Sequence, residues 1–168
     1  MSIVVDIMLL QTVAIAITSS GVLLAAIYYV LQIKHQTKLR QTDLVMRLYD
    51  KFGSTEFQKA YQMIMGLEYE DYVDYVKKYD VDVRAALNSV GLFFEGVGVL
   101  VKRKLINMDL VDDLISTEIL RAWEKIKPIA DGERKQFGRP QIWEYFEYLY
   151  NEMKKREQKL QQKGVNNG

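Results

Sequence analysis

The sequence has no cysteine and a single histidine, His35. Without thiols, disulfides, zinc–thiolate sites, iron–sulfur clusters and cysteine nucleophiles are excluded. A Ser-His-Asp triad needs a histidine inside a folded domain, and a ferritin-like di-iron site needs Glu-x-x-His twice. His35 serves neither, because it stands at the edge of a long apolar run. Carboxylates are the catalytic resource that remains, and neither a metal site nor a cofactor is expected. Proline is scarce too: Pro128 and Pro140 are the only two. No stretch alternates apolar and polar residues as a half-buried strand does, so the fold is expected to be all-α. A formal net charge of +1 supplies no basic field, and nucleic acid is not expected as a partner.

Charge is missing most completely from residues 7–31. Twelve of these residues, Ile7 to Leu31, are Leu, Ile or Val. At about −0.3 to −0.6 kcal/mol each, they favour insertion into a bilayer by roughly 4 to 7 kcal/mol. The run is long enough to cross a hydrocarbon core with some tilt. Gln11, Thr12, Thr18, Ser19 and Ser20 are polar but uncharged, and hydroxyls in such a helix can bond back to their own backbone. A cleaved signal peptide would have a basic start and a shorter run. An interfacial helix would show a charged face. The run therefore reads as a transmembrane helix with the lipid bilayer as its surroundings. Asp6 precedes it, whereas Lys34, Lys38, Arg40 and Arg47 follow it. Positive residues stay in the cytoplasm, which predicts residues 1–6 outside the cell membrane and residues from about Gln32 onward inside. Ala14, Thr18, Gly21 and Ala25 recur at helical spacing within the run, with Gln11 extending the stripe. Small residues at this spacing let another helix approach, either a second copy or a different membrane subunit.

The remaining length, about 130 residues, suffices for one domain with a core. The helix is expected to continue through residues 32–53 as a connection, with Leu44, Val45, Leu48, Tyr49 and Phe52 on its apolar face and Gly53 as its stop. A helical domain follows over 54–153. Ser54 opens its first helix, which buries Phe57, Tyr61, Ile64 and Met65 and ends at Gly66. Residues 70–79 form a short helix with Tyr72, Val73, Val76 and Tyr79 inward. Asp82 caps a central helix reaching about Leu105. Residues 85–101 of that helix carry one charge, Glu95, so it is either the core of the bundle or a second membrane segment. Asn107 or Asp109 caps a short helix through Ile115, and Ser116 caps the next, which Pro128 ends or kinks. Residues 131–139 read as a polar loop, and Pro140 as the first residue of a last helix. Residues 154–168, with Lys154, Lys155, Arg156, Lys159 and Lys163, read as a disordered basic tail that could touch anionic lipid.

A carboxylate on an otherwise apolar helix pairs, protonates or functions. Glu95, with Arg121, Trp123, Glu124, Trp143 and Glu144, is the candidate ligand site or buried pair. Its plain reading is structural: a bridge from Glu95 to Arg84 or Arg121, or a bond to a Trp N–H, with Glu95→Gln lowering stability. A deep pocket beside Glu95, lined by both Trp side chains, would instead point to a ligand.

Three segments stand out together: residues 93–101 (FFEGVGVLV), 119–125 (ILRAWEK) and 143–149 (WEYFEYL), after RLYDKF at 47–52. With the apolar run before them, the chain resembles an uncharacterised family of small prokaryotic single-span membrane proteins, domain of unknown function 4760. The resemblance covers about residues 28–155 and implies one N-terminal span with a helical cytosolic domain, but no activity. Two functional expectations follow. The first is a non-enzymatic interaction or scaffold protein, or an accessory subunit of a membrane complex. The second is a carboxylate-dependent enzyme or small-ligand sensor at the cytoplasmic membrane face, centred on Glu95.

Overall fold

A computed structural model describes the backbone of residues 2–165 and the side chains of residues 7–162. The side chains of Asp6 and Lys163, and residues 166–168, lie outside that description. Six helices follow in order: α1 (Ser2–Gly53), α2 (Thr55–Met65), α3 (Tyr72–Lys78), α4 (Val81–Lys102), α5 (Met108–Phe137) and α6 (Glu144–Val165). No strand occurs among the described residues. The chain forms two compact units that divide between Thr42 and Asp43.

The first unit is the N-terminal part of α1. Every described residue from Ile7 to Arg40 is exposed. Three of its hydroxyls are satisfied within the helix: Thr12, Thr18 and Ser20 donate to the carbonyls of Met8, Ala14 and Ala16 at 2.9, 2.7 and 2.8 Å. Those three hydroxyl hydrogens need no partner outside the helix.

The second unit is a helical bundle built around α4. Its local chemistry is short-range. Gly53 ends α1, and Ser54 accepts the Phe57 N–H as the cap of α2. The cap of α4 is Asp80, which accepts from the N–H groups of Asp82 and Val83 at 3.1 Å each. Asp82, the expected cap, lies inside the first turn instead. Leu87, Val90, Phe94, Val97 and Val101 bury one face of α4 against α2, α5 and α6. This helix, also long and apolar enough to cross a membrane, is therefore packed as the core of the bundle. The Phe94 ring stacks on Phe146 at 4.9 Å, and Trp123 meets Phe146 edge-on at 5.0 Å. Each such side chain contributes about 1.5–3 kcal/mol by leaving water.

Several expectations are corrected. In α3, Tyr75 is the buried residue, while Val73 and Val76 are exposed; seven residues make too few turns to fix the phase of a face. Tyr49 in α1 is likewise exposed. Pro128 does not end a helix. It sits inside α5, which runs on to Phe137 because the burial of Ile126, Ile129 and Ala130 around it offsets the lost N–H bond and the ring's clash with the preceding turn. The non-helical residue of α5 is Ile115 (φ −144°, ψ 20°), where the expected pair of helices run together. Finally, Pro140 does not start α6. Residues 140–143 form a turn, and α6 begins at Glu144 and continues to Val165 through the stretch read as a disordered tail. Arg156 anchors that extension to α5 by pairing with Asp109 at 2.7 Å and Asp112 at 3.3 Å. Lys154–Glu157 and Lys155–Glu152 pairs, three residues apart, support it along the helix.

Candidate functional site

The start of α6 poses a local problem. The residue before it, Trp143, has a positive φ of 59°, a conformation costly for a side chain this large. Its indole also cannot accept hydrogen bonds from the first N–H groups of the helix. Glu95 supplies what is missing. It reaches across from α4, and its carboxylate accepts the Phe146 N–H at 2.7 Å, with the Tyr145 N–H also bonded to it. A carboxylate at the positive end of the α6 dipole is well placed electrostatically. Burial nevertheless pushes the Glu95 carboxyl above its ordinary value. The two N–H bonds and Arg134 pull the other way without overcoming it, and Glu144 adds to the rise.

The turn is held from α5 as well. The Trp143 indole N–H donates to Glu133 at 2.6 Å, and the ring packs over Gly91 of α4. Arg134 donates from Nε to the Ile142 carbonyl at 2.8 Å, lies 2.8 Å from the Glu147 carboxylate, and sits over the Trp123 ring at 5.9 Å. Glu133, Arg134 and Glu147 thus complete a polar clasp that fixes α6 against α4 and α5. Sequence reasoning missed all three. Glu133 and Arg134 fell in the presumed loop after Pro128. The signal that could have found them is Gly138, which takes the left-handed conformation (φ 63°) that closes a helix, with Arg134 and Lys135 in the turn before it.

The expected cluster divides among several places. Glu95 is bonded to neither arginine nor tryptophan but to the α6 backbone. Trp123 is fully buried beneath Phe146, and Trp143 is turned to Glu133. Arg121 is exposed, and its charge acts on Tyr61. Glu124 is exposed and meets Lys154 at 3.7 Å and the Tyr150 hydroxyl at 3.3 Å. Glu144 is exposed, and its charge acts on Glu95. Three open surface clefts, of about 680, 500 and 360 Å³, are lined by none of Glu95, Trp123 and Trp143; the first touches Glu124 alone among the candidates. No group of three or more potential metal ligands is gathered among the described residues. The arrangement braces the start of a helix. Within α1, Ala14, Thr18, Gly21 and Ala25 are all exposed, and a Cβ at Gly21 would meet nothing within 4 Å.

Against known proteins, the family model described as Domain of unknown function (DUF4760) matches residues 15–153. The chain belongs to that family. No curated protein and no solved structure matches it.

Proposed function

We propose, for this member of a family of unknown function, a membrane-anchored helical module that works by binding rather than by catalysis, as a scaffold or an accessory subunit of a membrane complex. The observation that carries this reading is the first unit. From Ile7 to Leu31 an uncharged apolar helix exposes every side chain and binds the Thr12, Thr18 and Ser20 hydroxyls back to its backbone. Water is a poor solvent for such a surface and lipid a good one. The basic residues after it set the bundle in the cytoplasm. The rival reading, a carboxylate-dependent enzyme or sensor centred on Glu95, draws no support from a carboxylate already committed to the α6 backbone.

Because the chain has no cysteine, single cysteines report topology without background. Ser2→Cys should react with a membrane-impermeant maleimide on intact cells, and Thr117→Cys only after the cells are opened. Alkaline carbonate should leave the protein in the membrane pellet. Release by carbonate, or reaction of Thr117→Cys from outside, overturns the reading. Within the span, the Ala14–Thr18–Gly21–Ala25 face is the proposed contact for another helix, either a second copy or another subunit. Gly21→Leu should remove that neighbour from material purified out of native membranes.

A further inference from the structure

The outer face of α4 differs from the outer face of an ordinary surface helix. Ala85, Asn88, Ser89, Leu92 and Gly96 are exposed along it, Leu92 by 63%. No charge falls on this face between Arg84 and Lys102, since Glu95 is turned to α6. A helix that borders water normally places charged residues there.

The glycines of α4 sharpen the point. A Cβ on Gly91 would lie 2.6 Å from the Trp143 ring, and one on Gly98 would lie 2.1 Å from the Tyr145 carbonyl oxygen. Packing inside the bundle therefore requires both. At Gly96 a Cβ would meet nothing within 4 Å. Glycine is the least favourable helix residue after proline, so at Gly96 the bundle loses stability with no internal return. Close approach of something from outside accounts for it.

Two features identify the visitor. Leu92 and Gly96 are a projection and a hollow one turn apart on the same face, so a second α4 running antiparallel about a two-fold axis sets each Leu92 over the other copy's Gly96. The same axis brings Asp82, at the start of α4, towards Arg103, just past the end of the other α4, at both ends of the contact. Parallel pairing would set acid on acid and base on base. We propose that the outer face of α4 is a homodimer interface, an antiparallel contact between two copies centred on Leu92 and Gly96. This goes beyond the proposed anchoring and does not rest on it; carbonate extraction of the same membranes reports anchoring separately.

The test uses the full chain in its own membranes. Two differently tagged copies, one Leu92→Cys and the other Gly96→Cys, are co-expressed and mildly oxidised. Gly96→Cys is tolerable because the space beside it is open. The expected result is a disulfide joining the two tags, absent when both copies instead carry Asp113→Cys on the exposed part of α5. In detergent, Leu92→Arg should halve the protein mass. Asp82→Lys should weaken the dimer, and adding Arg103→Asp should restore it. Cross-linking no stronger than at Asp113 overturns the proposal. So does a product containing a different protein, a natural chain that is monomeric in detergent, or a charge swap that restores nothing. Slow reaction of Gly96→Cys with a water-soluble maleimide, without joining of the tags, means that lipid or another protein covers the face, and overturns it equally.

Discussion

Among the described residues, two helices are long and apolar enough to cross a membrane, and they solve the same problem in opposite ways. From Ile7 to Leu31 of α1 the apolar side chains are exposed, Leu23 by 64%. In α4, Val90, Phe94 and Val97 are fully buried. The difference lies less in apolar content than in the residues between. Along α4, Gly91 and Gly98 open room for Trp143 and for the α6 backbone, and Glu95 reaches out to cap α6. These are devices for receiving protein neighbours. In that stretch of α1 the Thr12, Thr18 and Ser20 hydroxyls turn back on their own helix and ask nothing of a neighbour. A helix packed on protein carries contacts specific to its partners, whereas the exposed stretch of α1 carries bonds only within itself.

The strongest way to break this contrast is Gly98→Ala. The added methyl would lie 2.1 Å from a backbone oxygen, which cannot swing aside as a side-chain tip can, so α4 and α6 must separate. A loss of about 3 kcal/mol is expected, at the upper end of overpacking effects. Thermal unfolding of the full chain in detergent measures it. Leu23→Ala, in the exposed α1 segment, should leave that transition in place. Equal losses from the two substitutions would show that the helices do not differ as described.

Glu95 comes next. Glu95→Ala leaves the α6 N-terminus without its acceptor and should cost about 1–2 kcal/mol, the range of a lost cap. Glu95→Gln keeps an acceptor and separates the cap from its charge. Because burial raises the folded-state value, the folded chain holds this proton more tightly than the unfolded chain does. The resulting stability is complete below the ordinary carboxylate value and is lost as pH rises through the raised one. The natural chain should therefore match Glu95→Gln in acid and fall behind it towards neutral pH, rather than suffer from the substitution as a buried bridge would. Denaturant midpoints across that range test the sign, and a gap of constant size would refute it.

What could be read in advance follows the range of the interaction responsible. Gly53, Ser54 and Gly66 act on their own turns, and their roles are visible in a few residues. The buried character of α4 is legible because residues 85–101 hold so little charge. The clasp is not legible. It depends on α5 passing straight through Pro128, on Trp143 adopting a left-handed backbone, and on Glu95 finding N–H groups fifty-one residues away. Each is a tertiary decision that overrides a sound local rule. The extension of α6 is similar. Its basic residues look like a free tail until Asp109 and Asp112 of α5 stand opposite Arg156.

A smaller effect separates the glycines of α4 from one another. In a Leu92→Arg background, where the outer face is free, Gly96→Ala should stabilise the bundle by about 0.5–1 kcal/mol, the ordinary helix preference. It is the opposite sign to Gly98→Ala, two residues away. A destabilising Gly96→Ala in that background would mean that an internal neighbour occupies the space.

The smallest expected effect is at Tyr75, whose hydroxyl is buried without a hydrogen-bond partner while its ring lies edge-on to Tyr69 at 5.7 Å. Burial, with Glu133 adding to it, pushes this phenol up to about 12. The neutral form is therefore the one the bundle holds, and its contribution to stability is present below pH 10.0 and lost as pH rises towards 12. Tyr75→Phe keeps the ring and removes an oxygen whose bonds to water were given up on folding. It should be neutral or stabilising by up to about 1 kcal/mol, and should lessen the alkaline loss. Polar groups in this bundle stabilise when they find a partner, as Glu95 and Arg134 do, and a deletion that costs nothing at Tyr75 sets the baseline against which the clasp is measured.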